Sequence, residues 1–186
     1  MGGRWNFIDD YLAGIRTNKI KKYIPKNSLL LDIGCYSDFR LLKELSKYVK
    51  KGYGVDLEVE EKQHKNLTLF KIDITKEKIP LKDNSVDVVT MLAVIEHLHS
   101  ATFIISEIHR VLRKGGVLLL TTPTPQSKPI LEFGANIGIF DKVGTFDHKC
   151  YYNKKKLLGV LEQKFEIIKH KYFEFTLNQF VVCKKC

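Results

Sequence analysis

The chain has 186 residues, 44% hydrophobic and 28% charged, with a formal net charge of +10. These proportions are ordinary for a globular domain with one core, and no apolar run approaches the roughly 18–20 residues of a membrane span. The lysines that carry the charge are scattered and are not interleaved with an aromatic RNA-binding motif, so no clear nucleic-acid site is indicated.

Helical patterns alternate with short apolar strands along the chain. This order predicts a parallel sheet with helices on both faces. The fold class is therefore α/β: a Rossmann-like, seven-stranded, mostly parallel sheet with an antiparallel C-terminal hairpin. In chain order the elements are a helix over 6–23, a strand over 29–33, a helix over 39–50, strands over 52–56, 67–72 and 86–91, a helix over 101–112, a strand over 117–121, a helix over 153–163, and hairpin strands over 165–172 and 176–183.

The predicted elements form one domain over residues 1–186, in which 1–27 is an N-terminal helical extension. The stretch 123–150 is irregular and rich in Pro and Gly. A loop of this length inside a compact domain is usually functional or partly helical. We expect it to cover the substrate.

Carboxylates follow the first three predicted strands, at the edge where parallel sheets bind ligands. The turn over 32–38 contains one glycine and the carboxylates Asp32 and Asp38. They would repel the pyrophosphate of a dinucleotide, but they suit a ligand with a sulfonium and an ammonium group. Asp56 can accept from ribose hydroxyls, and Asp73 can accept from an adenine amino group. The residues therefore favour S-adenosylmethionine (SAM) over a nicotinamide cofactor.

Ordered segments of the chain resemble the motifs of class I SAM-dependent methyltransferases, in particular the type 11 subgroup. The resemblance covers about residues 28–122 and implies SAM as cofactor, S-adenosylhomocysteine as product, and methyl transfer as the activity. The matching segments are LDIGC at 31–35, GVD at 54–56, KIDI at 71–74, IPLKDNSVDVV at 79–89, EH at 96–97 and RVLRKGG at 110–116.

The glycine loop departs from the family pattern. Tyr36 stands at the second glycine of motif I and Asp38 at the third. The second glycine commonly lets the backbone approach the ligand closely. The alternative hypothesis is therefore a non-catalytic SAM-fold binding or regulatory module with a degenerate motif I. Some relatives bind a divalent metal through E-x-x-E-H, but Ala93 replaces the first glutamate, so we predict no metal site.

The resemblance and the strand ends together give two sets of site residues. On the acceptor side we expect catalytic roles for His97, His148 and Glu96, because a histidine can act as a base near neutral pH and Glu96 can orient His97 or contact the substrate. The other readings are helix packing for His97, an exposed loop histidine for His148 and a helix cap for Asp73. The cofactor-binding candidates are Asp32, Gly34, Cys35, Tyr36, Asp56, Leu57, Asp73, Ile74 and Met91.

The acceptor is less well defined. Amide N-methyltransferases often carry an Asn/Asp-Pro-Pro-Tyr/Phe segment after the fourth strand, and this chain has Thr-Met-Leu-Ala at 90–93. We expect a small-molecule acceptor. The mostly apolar stretch 130–146 could cover a lipid-like acceptor, pack on the core or form a dimer contact.

Two further expectations concern the protein as a whole. We expect a monomer or homodimer, located in the cytoplasm because the first residues show no signal-peptide hydrophobic region. A nicotinamide-dependent oxidoreductase is the third hypothesis, and the missing G-x-G-x-x-G disfavours it.

Overall fold

A computed structural model describes residues 7–137 and 147–186. Its helices and strands alternate as the apolar pattern predicts. The helices are α1 (Phe7–Lys21), α2 (Arg40–Leu45), α3 (Thr102–Val111), α4 (Lys128–Asn136) and α5 (Lys154–Leu161). The strands are β1 (Leu29–Ile33), β2 (Lys51–Asp56), β3 (Lys62–His64), β4 (Leu67–Lys71), β5 (Val86–Leu92), β6 (Leu112–Pro123), β7 (Glu166–Phe173) and β8 (Asn178–Lys184).

The strands form one sheet in the order β3-β4-β2-β1-β5-β6-β8-β7. The run from β4 to β6 is parallel, and the β7–β8 hairpin pairs antiparallel with β6. The predicted α/β fold is confirmed, with eight strands where we predicted seven. The additional strand is β3, a three-residue antiparallel edge strand whose residues are all exposed. It carries no apolar alternation from which a strand could be predicted.

Each face of the sheet has its own core, because successive side chains in a strand point to opposite faces. On one face, Leu31 and Ile33 of β1 belong to the core that includes α3 and α5. On the other face, Leu30 belongs to the core that includes Ile20 of α1 and Leu42 of α2. The strands are thus buried between two helical layers, and their carboxyl ends are left as the edge that can bind a ligand.

Three predicted elements differ from the structure in length or type. The helix predicted over 39–50 ends at Leu45, and the strand predicted over 117–121 extends over Leu112–Pro123. The region 123–150, which we predicted to be irregular, contains α4, with Pro129 in its first turn, where the missing N–H costs no helical hydrogen bond. Residues 138–146 of the expected covering loop lie outside the described residues.

Lys185 is a buried lysine at the C-terminal end of α3. Its ammonium donates to the carbonyls of His109 at 2.6 Å and Leu112 at 2.7 Å, and to Oδ1 of Asn84 at 2.9 Å. Burial lowers the pKa of Lys185. The three acceptors satisfy the buried charge, and they include carbonyls at the negative end of the helix dipole.

None of the described helices is long and apolar enough to cross a membrane.

Candidate active site

The loop after β1 takes its shape from close contacts with the strands on either side. Gly34 has φ +74°, and a Cβ at this position would lie 2.3 Å from Cγ2 of Val94. No side chain fits there. The Gly34 N–H donates to the carbonyl of Val55 at 2.9 Å, so the loop stays attached to β2.

Tyr36, at the position of the second glycine of motif I, has a backbone conformation that glycine adopts more readily. Its φ is +60°, in the left-handed region. That conformation costs a non-glycine residue roughly 1–2 kcal/mol. The Tyr36 N–H donates to Oδ2 of Asp56 at 2.9 Å, which helps to hold the loop in place. The loop therefore has a left-handed residue at position 36 although this residue carries a large side chain.

Asp56 lies at the end of β2 and joins two loops. Besides the Tyr36 N–H, its carboxylate accepts the N–H of Glu58 on Oδ1 at 2.8 Å. A carboxylate has about four lone-pair sites, so acceptor capacity remains for a ribose diol. Leu57, the next residue, is 57% exposed and offers an apolar surface beside this carboxylate.

Asp32 is a buried carboxylate in the middle of the site. The hydroxyl of Thr90 donates to its Oδ1 at 2.7 Å. Burial raises the pKa of Asp32 to about 7, the Thr90 hydrogen bond opposes this rise, and the charge of Asp56 adds to it. A cationic group bound nearby would stabilise the ionised form. Cys35 is also buried, and burial raises the pKa of its thiol.

Three other cofactor candidates, Asp73, Ile74 and Met91, make contacts within the chain or are buried. Oδ1 of Asp73 accepts the hydroxyl of Thr75 at 2.6 Å and its N–H at 3.0 Å, and Oδ2 lies 2.9 Å from the ammonium of Lys76. These contacts lower the pKa of Asp73 to about 2. They are the contacts of a residue that caps a turn. Ile74 is mostly buried, and Met91 is fully buried in the core. The roles of Asp73, Ile74 and Met91 stay predictions.

Glu96 lies in a 3₁₀ turn, Ile95–His97, that follows β5. Its side chain is fully buried, and Oε2 accepts the hydroxyl of Thr122 at 2.9 Å. Oε1 has no hydrogen-bond partner among residues 7–137 and 147–186. Burial raises the pKa of Glu96, and the positive charges of His97 and Arg16 oppose that rise.

The backbone of Glu96 also fastens the segment that carries His148. Its carbonyl accepts the N–H groups of Lys149 at 2.8 Å and Cys150 at 2.9 Å. As a result the rings of His97 and His148 lie 4.8 Å apart, centroid to centroid. The three residues that we predicted on the acceptor side therefore form one cluster.

Each histidine of the cluster has a polar neighbour at Nδ1. Nδ1 of His97 lies 3.4 Å from Oδ2 of Asp147, and Nδ1 of His148 lies 2.9 Å from the Tyr151 hydroxyl. Burial lowers the pKa of His148 to about 4, and the charge of His97 lowers it further. His148 is therefore neutral at physiological pH.

Two residues of the site, Arg16 and Tyr151, are not predicted by any pattern in the sequence. Arg16 belongs to α1, and its charge acts on both Glu96 and His148. A lone arginine in an amphipathic helix gives no signal for such a position. Tyr151 lies three residues beyond His148, and only the turn geometry brings its hydroxyl back to that ring.

The cofactor side fits SAM. Asp56 retains acceptor capacity, and Asp32 is a buried carboxylate that a cationic ligand would hold in its ionised form. No phosphate-binding glycine pattern accompanies them in the sequence. The two carboxylates suit the hydroxyl groups and the positive charge of a sulfonium nucleoside.

Comparison with known proteins supports this assignment. The model of a family described as a methyltransferase domain matches residues 31–120. A protein of Mycolicibacterium smegmatis described as "Probable S-adenosylmethionine-dependent methyltransferase" is 35% identical over 99 residues, which are 50% of this chain and 37% of that protein. The chain thus spans 37% of the length of this curated relative.

Solved structures share the whole fold at low sequence identity. A protein of Haloferax volcanii, solved in complex with the Trm112 methyltransferase activator, has a TM-score of 0.70 and 13% identity, with 98% of this chain and 99% of that chain covered. A SAM-dependent methyltransferase from Methanosarcina mazei has a TM-score of 0.66 and 20% identity, with 90% and 96% covered. At these identities the likeness concerns the fold.

Proposed function

We propose that this chain transfers a methyl group from SAM to a small-molecule acceptor, because the model of a methyltransferase-domain family matches residues 31–120. SAM is the cofactor that this family implies. The observation that supports the proposal best is the clustering of Glu96, His97 and His148 at the sheet edge that also carries Asp32 and Asp56.

On the cofactor side, each residue has a role that follows from its contacts. When bound, SAM supplies a methyl group on a positively charged sulfonium. Asp56 would accept the ribose hydroxyls while it holds the Tyr36 N–H, and Leu57 would cover the nucleoside. Asp32 would provide a negative charge near the cationic end, and Gly34 allows the turn that packs this loop against Val94.

On the acceptor side, the histidines are placed to remove a proton. A base must be unprotonated, and His148 meets this condition because burial lowers its pKa. Asp147 next to Nδ1 of His97 favours a proton on that nitrogen, which leaves Nε2 to accept from a hydroxyl or another acidic group. In either case the protein's main contribution is to hold the acceptor in line with the methyl group.

The helix α4 supports an apolar character for the acceptor. Its residues Ile130 and Phe133 are 48% and 66% exposed. The helix starts close to the acceptor side, because the Lys128 ammonium lies 5.9 Å from the centroid of the Tyr151 ring. We propose that the exposed apolar side chains of α4 contact the acceptor, as part of the covering segment 123–150.

Calorimetric titration with SAM and with S-adenosylhomocysteine tests the cofactor. We expect micromolar binding of both. A folded chain that binds neither ligand would favour the non-catalytic module. The acceptor is tested by incubating the chain with methyl-labelled SAM and a cell extract separated into small-molecule, RNA and protein fractions. We expect label in the small-molecule fraction, and label in RNA or protein instead would overturn the proposed acceptor class.

A further inference from the structure

The cluster of Glu96, His97 and His148 has the composition of a metal site. One oxygen of Glu96 and one ring nitrogen each of His97 and His148 lie within 4.8 Å of one another. We propose that these three side chains bind a single divalent transition-metal ion. Two imidazoles and one carboxylate suit Zn²⁺, Mn²⁺, Fe²⁺ or Co²⁺.

The buried oxygen of Glu96 is the strongest reason for this proposal. Oε1 has no hydrogen-bond partner among the described residues, although the side chain is fully buried. A buried carboxylate oxygen without a partner costs free energy, and a bound cation would supply the partner. Thr122 holds only the other oxygen, Oε2, and so fixes the direction in which the carboxylate points.

The two histidines are oriented as metal-binding histidines usually are. A metal-binding imidazole commonly makes a hydrogen bond through its other nitrogen to a carboxylate or another polar group. Here Asp147 is next to Nδ1 of His97, and the Tyr151 hydroxyl is next to Nδ1 of His148. These neighbours hold the two rings in place, as outer-shell partners do at metal sites.

The geometry requires a small closure of the cluster. Ligands about 2.1 Å from a tetrahedral ion lie roughly 3.4 Å apart. The present separation of up to 4.8 Å would shorten by about 1.4 Å at most, which small side-chain rotations can provide. Three protein ligands would leave one position open, as in catalytic metal sites. An oxygen of the acceptor would occupy it, where the cation lowers the pKa of a hydroxyl group, so that the histidines hold the ion and are no longer needed as the base. This last role rests on the proposed methyl transfer.

The third ligand, His148, becomes apparent only in the folded structure. From the sequence, Ala93 in place of a glutamate left only Glu96 and His97 as ligands. The structure supplies a third ligand because the Glu96 carbonyl accepts the N–H groups of Lys149 and Cys150, which brings His148 to the cluster.

Arg16 provides a test that a purely structural cluster would not pass. Its positive charge acts on Glu96 and His148, and so opposes a second cation at the same place. Arg16→Gln should therefore bind the metal ion more tightly than the unmodified chain. A cluster that serves only packing would show no such gain.

The experiment is a titration of the metal-free chain with Co²⁺, followed by calorimetry and by visible absorption. We expect one Co²⁺ per chain. Glu96→Gln and His148→Ala should weaken binding by more than the roughly 10–100-fold that loss of an outer-shell partner causes. His99→Ala is the matched control, because His99 is exposed only two residues from His97, and it should bind as the unmodified chain does.

The outcomes separate this proposal from the proposed function. No Co²⁺ binding by the folded chain, or equal binding by Glu96→Gln, His148→Ala and His99→Ala, would overturn the metal site. Circular dichroism melts establish that each variant is folded. SAM is titrated in parallel: binding of SAM without Co²⁺ would remove the metal site and keep the methyltransferase proposal, whereas binding of Co²⁺ without SAM would do the reverse.

Discussion

Asp56 accepts the backbone N–H of Tyr36 at 2.9 Å, so one carboxylate joins the end of β2 to the glycine loop after β1. The bond fixes the position of Asp56 before any ligand binds. It also holds the loop in the left-handed conformation that Tyr36 would otherwise avoid. The carboxylate therefore supports the cofactor loop in addition to its proposed contact with ribose.

Asp56→Ala should weaken SAM binding by roughly 1–3 kcal/mol, because the ribose hydroxyls and the Tyr36 N–H would lose their acceptor. This corresponds to an increase of about 5- to 150-fold in the Kd measured by calorimetry. Glu58→Ala is the control, since Glu58 is exposed and contacts Asp56 only through its backbone N–H. Unchanged affinity in a folded Asp56→Ala chain would refute the ribose assignment.

Replacing Tyr36 in two ways separates the backbone from the ring. Tyr36→Gly and Tyr36→Ala both remove the ring, but only glycine adopts φ +60° without steric cost. We expect the glycine variant to be more stable than the alanine variant by about 1 kcal/mol, in chemical denaturation. Equal stabilities, or a more stable alanine variant, would show that this conformation is not strained in the folded chain.

Asp32 should make the chain less stable as the pH rises. Its pKa is about 7 in the folded chain, against the ordinary 3.8. Between about pH 4 and pH 7 the folded chain therefore keeps a proton that the unfolded chain has released, so the free energy of unfolding falls with rising pH. Above about pH 7 this contribution is constant and fully unfavourable.

Asp32→Asn removes this titration and keeps the shape of the side chain. The stability of the variant relative to the unmodified chain should rise from pH 4 to pH 7, as measured by denaturant unfolding at a series of pH values. Taking the difference cancels the other titrating groups. A difference that stays constant over this range would show that Asp32 has an ordinary pKa.

Substitution by alanine should have opposite effects on the stability of the chain at Gly34 and at Gly159. Gly34→Ala places a Cβ against Val94 in a left-handed conformation, and should destabilise the chain by more than about 1 kcal/mol. Gly159→Ala in α5 meets no neighbour within 4 Å, and should stabilise the chain by roughly 0.5–1 kcal/mol. Thermal melts measure both changes.

A second substitution tests the contact with Val94 directly. In the Val94→Ala background, Gly34→Ala should cost less, because the Cγ2 atom that the new Cβ would meet has been removed. An undiminished cost would assign the whole effect to the backbone conformation.

The sheet could be predicted from the sequence because short strands with carboxylates at or near their ends alternate with helical patterns, as in β1 with Asp32 and β2 with Asp56. The edge strand β3 has no buried residue, so its pairing with β4 leaves no hydrophobic pattern. The bounds of helix α4 could not be predicted for a different reason. Pro129 and Gly134 read as loop residues, although a proline in the first turn is compatible with a helix.

The site could be predicted only where it follows strand ends. Asp56 is the last residue of β2 and Glu96 lies in the turn that follows β5, so their common edge follows from the parallel order of the sheet. Burial could not be predicted in the same way. Met91 alternates into the core, and the position of Arg16 depends on how α1 packs against distant parts of the chain.

The burial of Lys185 has a practical consequence for recombinant work. Its ammonium satisfies carbonyls that would otherwise face the interior at the end of α3. Any expressed fragment that stops before residue 185 would leave these carbonyls without their donor and shorten the segment that follows β8. An affinity tag is therefore better placed at the N-terminus, and domain boundaries for crystallisation should retain this lysine.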